Sequence, residues 1–221
     1  MSAPKDNLNP VQQNRAAAPA PLNKAWMRYL ESATGKQTVY STAPTSAGVV
    51  YLLIDCSGSM AERDKMAQAR RGTVGFAQQA QKKGYAVGVI RFESSAERIV
   101  AHESSVNDLE ACVNRMVTGG STNLSDAIHL ATQCLSDASG ERVMCVITDG
   151  YPDDVNTALS AARQAAAEGI DMMALGTDDA DDEFLRRLVT RKELQTRVSA
   201  TQLEQGIVAM VKLLPGPNAG K

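Results

Sequence analysis

The stretch VVYLLID (49–55) decides the fold class of this 221-residue chain. It is a continuous apolar run that ends in an acid, which is typical of a parallel strand buried on both faces of a sheet. Similar runs follow at AVGVIRF (86–92), RVMCVIT (142–148) and IDMMALG (170–176), with helical patterns between them. This alternation predicts an α/β fold, a Rossmann-like, doubly wound and mostly parallel sheet with helices on both faces.

The remaining elements are predicted from shorter patterns. ERIVA (97–101) follows the second strand after only a few residues, which suits a hairpin and predicts a short antiparallel edge strand. LQTRVSA (194–200) is expected to form a last strand. Helices are predicted at residues 60–83, 106–117, 124–136, 155–168, 181–189 and 201–214.

The distribution of proline divides the chain into one body with two loose ends. Of the eight prolines, only Pro152 lies outside residues 1–47 and 215–221. We therefore predict one domain over residues 48–214, a Pro/Ala-rich N-terminal extension (1–47) and a flexible tail (215–221). Within the extension, LNKAWMRYLESAT (22–34) has helical spacing. Two interpretations of it stay open, a short helix packed on its own domain or a docking segment for a partner.

Composition argues against several classes of function. The formal charge of −2, from 23 basic and 25 acidic residues, provides no basic surface for nucleic acid. No apolar run approaches the roughly 18 residues of a membrane-spanning helix, and the first residues lack the apolar segment of a secretory signal. The four cysteines have no CxxC spacing, which argues against a zinc cluster or a disulfide framework. We expect a cytoplasmic location, with no nucleic-acid or membrane partner.

Short polar residues form three clusters that this fold class would bring to one edge of the sheet. They are Asp55-Cys56-Ser57-Gly58-Ser59, the loop GGSTN (119–123), and Thr148-Asp149-Gly150. Ligands of doubly wound sheets bind at the carboxyl ends of the strands, and small oxygen donors suit a hard cation such as Mg²⁺. Each cluster alone is equally typical of a helix cap, a loop or a turn. Their occurrence together makes a metal site the more specific interpretation.

These residues resemble the metal-ion-dependent adhesion site (MIDAS) of von Willebrand factor type A (VWA) domains. The resemblance is in LIDCSGSM (53–60), TGGSTNLSDAI (118–128) and VITDGYPDD (146–154), and it extends over about residues 48–214. The wording of the last motif is most similar to intracellular bacterial members. The positions that match the family's ligand set are Asp55, Ser57, Ser59, Thr122 (with Ser121 a weaker choice) and Asp149.

The resemblance implies a binding module and not an enzyme. In the family, some of these side chains reach the metal directly and others act through water, and an open coordination position takes a Glu or Asp carboxylate from a partner protein. The implied metal is Mg²⁺, with Mn²⁺ or Ca²⁺ as alternatives. Some intracellular bacterial members are encoded beside AAA+ ATPases, which makes such an ATPase a candidate partner.

Two other functions stay open at this point. One is a Mg²⁺-dependent phosphate-ester hydrolase with Asp55 as nucleophile or ligand, although Ser57 stands where a haloacid-dehalogenase-type phosphatase has its second aspartate. The other is a structural or assembly protein that binds through its N-terminal segment. The histidines, His102 and His129, have no Ser–His–Asp pattern and are predicted to be surface or helix residues.

Overall fold

The fold is described from a computed structural model, which covers residues 47–216. The predicted helix at 22–34, nearly all of the extension and most of the tail lie outside these residues. The described part contains one sheet whose strands are β1 (Gly48–Asp55), β2 (Tyr85–Phe92), β3 (Ala96–Val100), β4 (Glu141–Thr148), β5 (Asp171–Gly176) and β6 (Gln195–Arg197).

The strand order is β3-β2-β1-β4-β5-β6, and the chain direction is parallel throughout except at β3. The mostly parallel sheet with one short antiparallel edge strand is therefore confirmed. Strand order reverses between β1 and β4, which are direct neighbours. A crevice forms at the carboxyl ends of the strands at such a switch point, so the end of β1 and the end of β4 are where a ligand is expected.

Helices cover both faces of the sheet, as predicted. They are α1 (Lys65–Lys82), α2 (Val106–Val113), α3 (Leu124–Leu135), α4 (Val155–Ala167), α5 (Asp182–Leu188) and α6 (Leu203–Ala209). Among residues 47–216, none of the helices has both the length and the apolar character to cross a membrane.

The core consists of two apolar layers, one on each face of the sheet. Alternate residues of β1 enter different layers, because side chains of a strand point to opposite faces in turn. Leu52 packs with Phe76 of α1 and Ile207 of α6 in one layer. Leu53 packs with Ile128 of α3 in the other layer. Since both layers bury β1 completely, the strand is a rigid support for the residues that follow it.

Several predicted helix bounds were wrong, for local physical reasons. The helix expected from residue 60 begins only at Lys65, because Gly58–Asp64 forms a kinked 3₁₀ segment in which Arg63 and Asp64 have φ of 52° and 58°. The helix expected over 106–117 ends at Val113. The last strand is only three residues long, and the C-terminal helix is α-helical only over Leu203–Ala209, with 3₁₀ turns on both sides.

Candidate metal centre

The switch point brings the first and third polar clusters together. Ile54 of β1 pairs in register with Ile147 of β4, so the residues that follow, Asp55 and Thr148, leave the sheet side by side. The hydroxyl of Thr148 donates a 2.6 Å hydrogen bond to Oδ2 of Asp55. These two clusters, which are about ninety residues apart along the chain, therefore form one site.

Asp55 is fully buried and is held by two hydrogen bonds. Its Oδ1 accepts a 2.8 Å hydrogen bond from the backbone N–H of Ser57, and its Oδ2 accepts the bond from Thr148. Burial raises the pKa of the Asp55 carboxyl, and the hydrogen bonds from Thr148 and Ser57 oppose the rise. A carboxylate held in this way is oriented before any ligand arrives.

A chain of hydroxyls connects the first cluster to Asp149. The hydroxyl oxygens of Ser57 and Ser59 lie 3.1 Å apart, and the Ser59 hydroxyl donates a 2.8 Å hydrogen bond to Oδ1 of Asp149. Asp149 is also buried. Cys56, which lies between Asp55 and Ser57 in the chain, belongs instead to the apolar core, and burial raises the pKa of its thiol to about 11.

The loop of Thr122 is held by hydrogen bonds to the first cluster and to Asp153, which follows the third cluster. The N–H of Gly119 donates a 2.8 Å hydrogen bond to the carbonyl oxygen of Cys56, and the N–H of Thr122 donates a 2.9 Å bond to Asp153. The loop turns at Gly120, whose φ is 69° and where a Cβ would collide with the side chain of Glu93. A side chain at this position would therefore displace the loop.

The two hydroxyls of this loop differ in their hydrogen bonding. Ser121 donates a 2.6 Å hydrogen bond to Asp153, whereas the hydroxyl of Thr122 has no hydrogen-bond partner within residues 47–216. Thr122 is therefore the loop residue that remains available to a ligand. The structure brings Asp55, Ser57, Ser59 and Asp149 into one bonded group, and it places the loop of Thr122 beside them without a side-chain bond to that group.

Lys65, the first residue of α1, was not among the residues predicted from the sequence. Its ammonium Nζ lies 2.5 Å from Oδ2 of Asp149 and 3.1 Å from Oδ2 of Asp179. Burial alone would lower the pKa of Lys65, but hydrogen bonds with Asp149 and Asp179 outweigh that effect, and the pKa lies above its ordinary value. The hydrogen bond from Lys65 lowers the pKa of the Asp179 carboxyl.

Asp179 belongs to an acidic run over residues 178–183, at the start of α5. Asp182 and Glu183 lie in the first turn of α5, and Asp181 caps the helix by accepting a hydrogen bond from the N–H of Phe184. Asp179 differs, because its carboxylate pairs with Lys65. No motif contains Lys65 or Asp179, and no pattern in the sequence marked either residue as part of the site.

The donor chemistry of the site fits a hard divalent cation. The carboxylates of Asp55 and Asp149 are both buried here, and the buried ammonium of Lys65 pairs with Asp149 and with the exposed Asp179 but not with Asp55. The remaining donors are hydroxyl oxygens, which suit Mg²⁺ or Ca²⁺ better than a soft metal. In the part of the chain that the structure describes, no cluster of three or more His, Cys, Asp or Glu side chains could hold a metal without the hydroxyls.

The histidines lie away from this group. Nδ1 of His102 is 3.2 Å from the hydroxyl of Tyr51, and His129 is an exposed residue of α3. Within residues 47–216 neither histidine bonds to the residues of the site. They provide no base or nucleophile there.

Comparison with known proteins identifies the family. Residues 50–209 match the model of the von Willebrand factor type A domain, and the chain belongs to this family. An uncharacterized protein of Mycobacterium tuberculosis is 28% identical over 168 residues, which is 71% of this chain but 26% of that protein. The chain thus spans about a quarter of the length of this relative.

Solved structures show the same fold at low sequence identity. A von Willebrand factor type A structure from Catenulispora acidiphila superposes with a TM-score of 0.62 at 21% identity, over 75% of this chain and 42% of that one. Proximal thread matrix protein 1 of the mussel byssus superposes with a TM-score of 0.63 at 16% identity, over 75% of this chain and 45% of the other. The latter structure has a zinc-occupied MIDAS motif.

Proposed function

We propose that this VWA domain binds a divalent metal, Mg²⁺ in the first place, through Asp55, Ser57, Ser59, Thr122 and Asp149, and uses it to capture an acidic residue of a partner protein. The observation that supports this most directly is the hydrogen-bonded chain at the switch point of the sheet, which runs from the buried Ser57 through the exposed Ser59 to the buried Asp149. Its oxygen donors stand where this class of fold binds ligands.

The proposed ligand set leaves the metal able to attract an anion. Three of its five members are neutral hydroxyls, so Asp55 and Asp149 alone would balance the charge of a dication. A Glu or Asp carboxylate of the partner would then take a coordination position that these residues leave open. The buried ammonium of Lys65 adds to the attraction.

Exposed apolar side chains near the site support a protein as the ligand. Val117 and Tyr151, the large apolar residues that are exposed in the described part of the chain, are 67% and 58% accessible. One precedes the glycine turn of the Thr122 loop and the other follows Asp149-Gly150. Apolar side chains around a polar centre are typical of surfaces that contact proteins.

The same geometry favours binding over hydrolysis. A haloacid-dehalogenase-type phosphatase has a second aspartate two residues after the first, but Ser57 stands at that position. Within residues 47–216, neither histidine bonds to the site, so neither is placed to act as its base. We therefore propose a non-enzymatic role. An AAA+ ATPase as the partner and a cytoplasmic location follow from the family resemblance and the cysteine pattern, and both stay predictions.

Calorimetric titration with Mg²⁺ tests the metal site. We expect the wild type to bind one equivalent, and Asp55→Ala to lose binding because the carboxylate that orients the first loop is gone. Asp137→Ala is the matched control, since Asp137 is an exposed aspartate just beyond the other end of α3, and it should bind as the wild type does. Absence of binding in the wild type, or equal binding by Asp55→Ala, would refute the proposal.

A further inference from the structure

Lys65 is a buried cation in direct contact with a proposed metal ligand. Its side chain is 1% exposed, and that of Asp149 is fully buried. Lysine is rarely buried to this extent, because desolvating an ammonium is costly unless it is paired with acids. The pairing partners here are Asp149 at 2.5 Å and Asp179 at 3.1 Å.

Local structure does not favour a lysine at this position. The first turn of a helix has a partial positive charge, which repels a cation. The two residues before Lys65, Arg63 and Asp64, are both in the left-handed region, which is unfavourable for residues other than glycine. The lysine in the first helical turn and the left-handed backbone before it both go against local preference, and such departures cluster at functional sites.

The contacts of Lys65 fix the carboxylate of Asp149. One oxygen, Oδ1, accepts the hydrogen bond from Ser59, and the other, Oδ2, accepts the bond from Lys65. The ammonium also lies 3.4 Å from the carbonyl oxygen of Ser59. Asp149 is thus oriented and neutralised by groups of the chain itself.

We propose that Lys65 is a resident counter-cation of the metal site, an inference that rests on the proposed function. It keeps Asp149 in place before a metal arrives, so the site is assembled in the metal-free protein. Once a metal is bound, the ammonium repels it and lowers its affinity, and it leaves the site with additional positive charge for an anionic partner. Lys65 is therefore a positioning residue that lowers the affinity of the site for the metal and raises its affinity for an acidic ligand.

Replacement by an apolar residue of similar length tests this role. In Lys65→Met we expect Mg²⁺ to bind about tenfold more tightly, because the cation that pairs with Asp149 and would repel the metal has been removed. In EDTA the variant should melt below the wild type, since Asp149 is left buried without its cation, and excess Mg²⁺ should remove this difference in melting temperature. Lys82→Met is the matched control, because Lys82 is an exposed lysine on the same helix, and it should change neither property.

The outcomes separate this inference from the proposed function. If the wild type binds Mg²⁺ but Lys65→Met binds it equally or more weakly, the counter-cation role is wrong while the metal site stands. If the wild type binds none, both are wrong. Melting temperatures in EDTA give an independent readout, and an unchanged value for Lys65→Met overturns the inference.

A second pair of variants applies if Lys65→Met does not fold. Asp178 and Asp179 are adjacent exposed aspartates, of which only Asp179 pairs with Lys65. In Asp179→Asn the ammonium has Asp149 as its one carboxylate, so Mg²⁺ should bind several-fold more weakly than in Asp178→Asn. Equal affinities in these two variants overturn the proposal.

Discussion

Two groups of charged side chains line the carboxyl edge of the sheet, and they differ in what they bond. Asp154 is exposed and Asp181 is half-buried, and each caps a helix by accepting hydrogen bonds from backbone N–H groups two or three residues further along the chain. Asp55, Asp149 and Lys65 are buried, and the side chains that pair with them come from 84 to 114 residues away. The first group caps single helices, and the second connects separate elements.

The difference indicates which acids the fold maintains for function. A helix cap stabilises its own helix and remains in water, so it needs no compensation from the rest of the protein. A buried carboxylate or ammonium loses its hydration and is tolerated only because distant parts of the chain supply partners. Stability alone gives little reason to keep such a group, whereas a metal site requires it.

Removal of one partner from the buried group should give the largest effect. In EDTA we expect Asp149→Ala to lose about 3–5 kcal/mol of the free energy of unfolding, because Lys65 remains buried with only Asp179 as its acid. Urea unfolding measures it. Asp137→Ala, on the exposed surface, should stay within about 0.5 kcal/mol of the wild type. A similar small change in Asp149→Ala would mean that the buried group is not interdependent.

Loss of one hydrogen bond within the buried group should have a smaller effect. Thr148→Val keeps the shape of the side chain but removes the hydroxyl that donates to Asp55, and a bond to a charged group contributes about 1.5–3 kcal/mol. Thr177→Val is the control, since Thr177 is equally buried at the end of the neighbouring strand, but its hydroxyl has no partner in the described part of the chain. Urea unfolding should show a loss for Thr148→Val and little change for Thr177→Val. Equal losses would contradict the assignment.

The sequence predicted the sheet and one part of the buried group. Apolar runs such as residues 49–55 identified the long parallel strands, because a strand buried on both faces has almost no polar residues. The short β6 was also predicted, but its bounds were too wide. Asp55, the two serines and Asp149 were found because they directly follow such strands. Residues at the end of a buried strand have a fixed place in the fold, so their proximity follows from the topology.

Lys65 and Asp179 could not be predicted in the same way. Each lies several residues beyond a strand, and their meeting depends on the kink at Arg63 and Asp64, where the backbone departs from helix without a glycine to mark it. The predicted helix from residue 60 would have placed Lys65 in its second turn and on a different face. Backbone conformation at two residues therefore decided a contact that no spacing rule contains.

Loss of a helix cap should lower the stability of the protein least, because a cap stabilises only its own helix. Asp154→Ala removes the cap of α4, and we expect the melting temperature to fall by about 2–4 °C at pH 7, whereas Asp154→Asn, which can still accept from the backbone, should fall less. Hydrogen bonds from Thr157 lower the pKa of Asp154 below its ordinary value of 3.8.

The pH dependence of the cap follows from the direction of that shift. A lowered pKa in the folded protein means that the ionised cap contributes stability above pH 3.8, and this contribution is lost as the pH falls through the folded value. The difference in melting temperature between wild type and Asp154→Ala should therefore narrow below pH 4 and stay constant from about pH 5 to 7. Mg²⁺ affinity should be the same in all three proteins. A change in metal binding in Asp154→Ala would mean that this exposed acid contributes to the proposed metal site. The distinction between the helix caps and the buried group would then not hold.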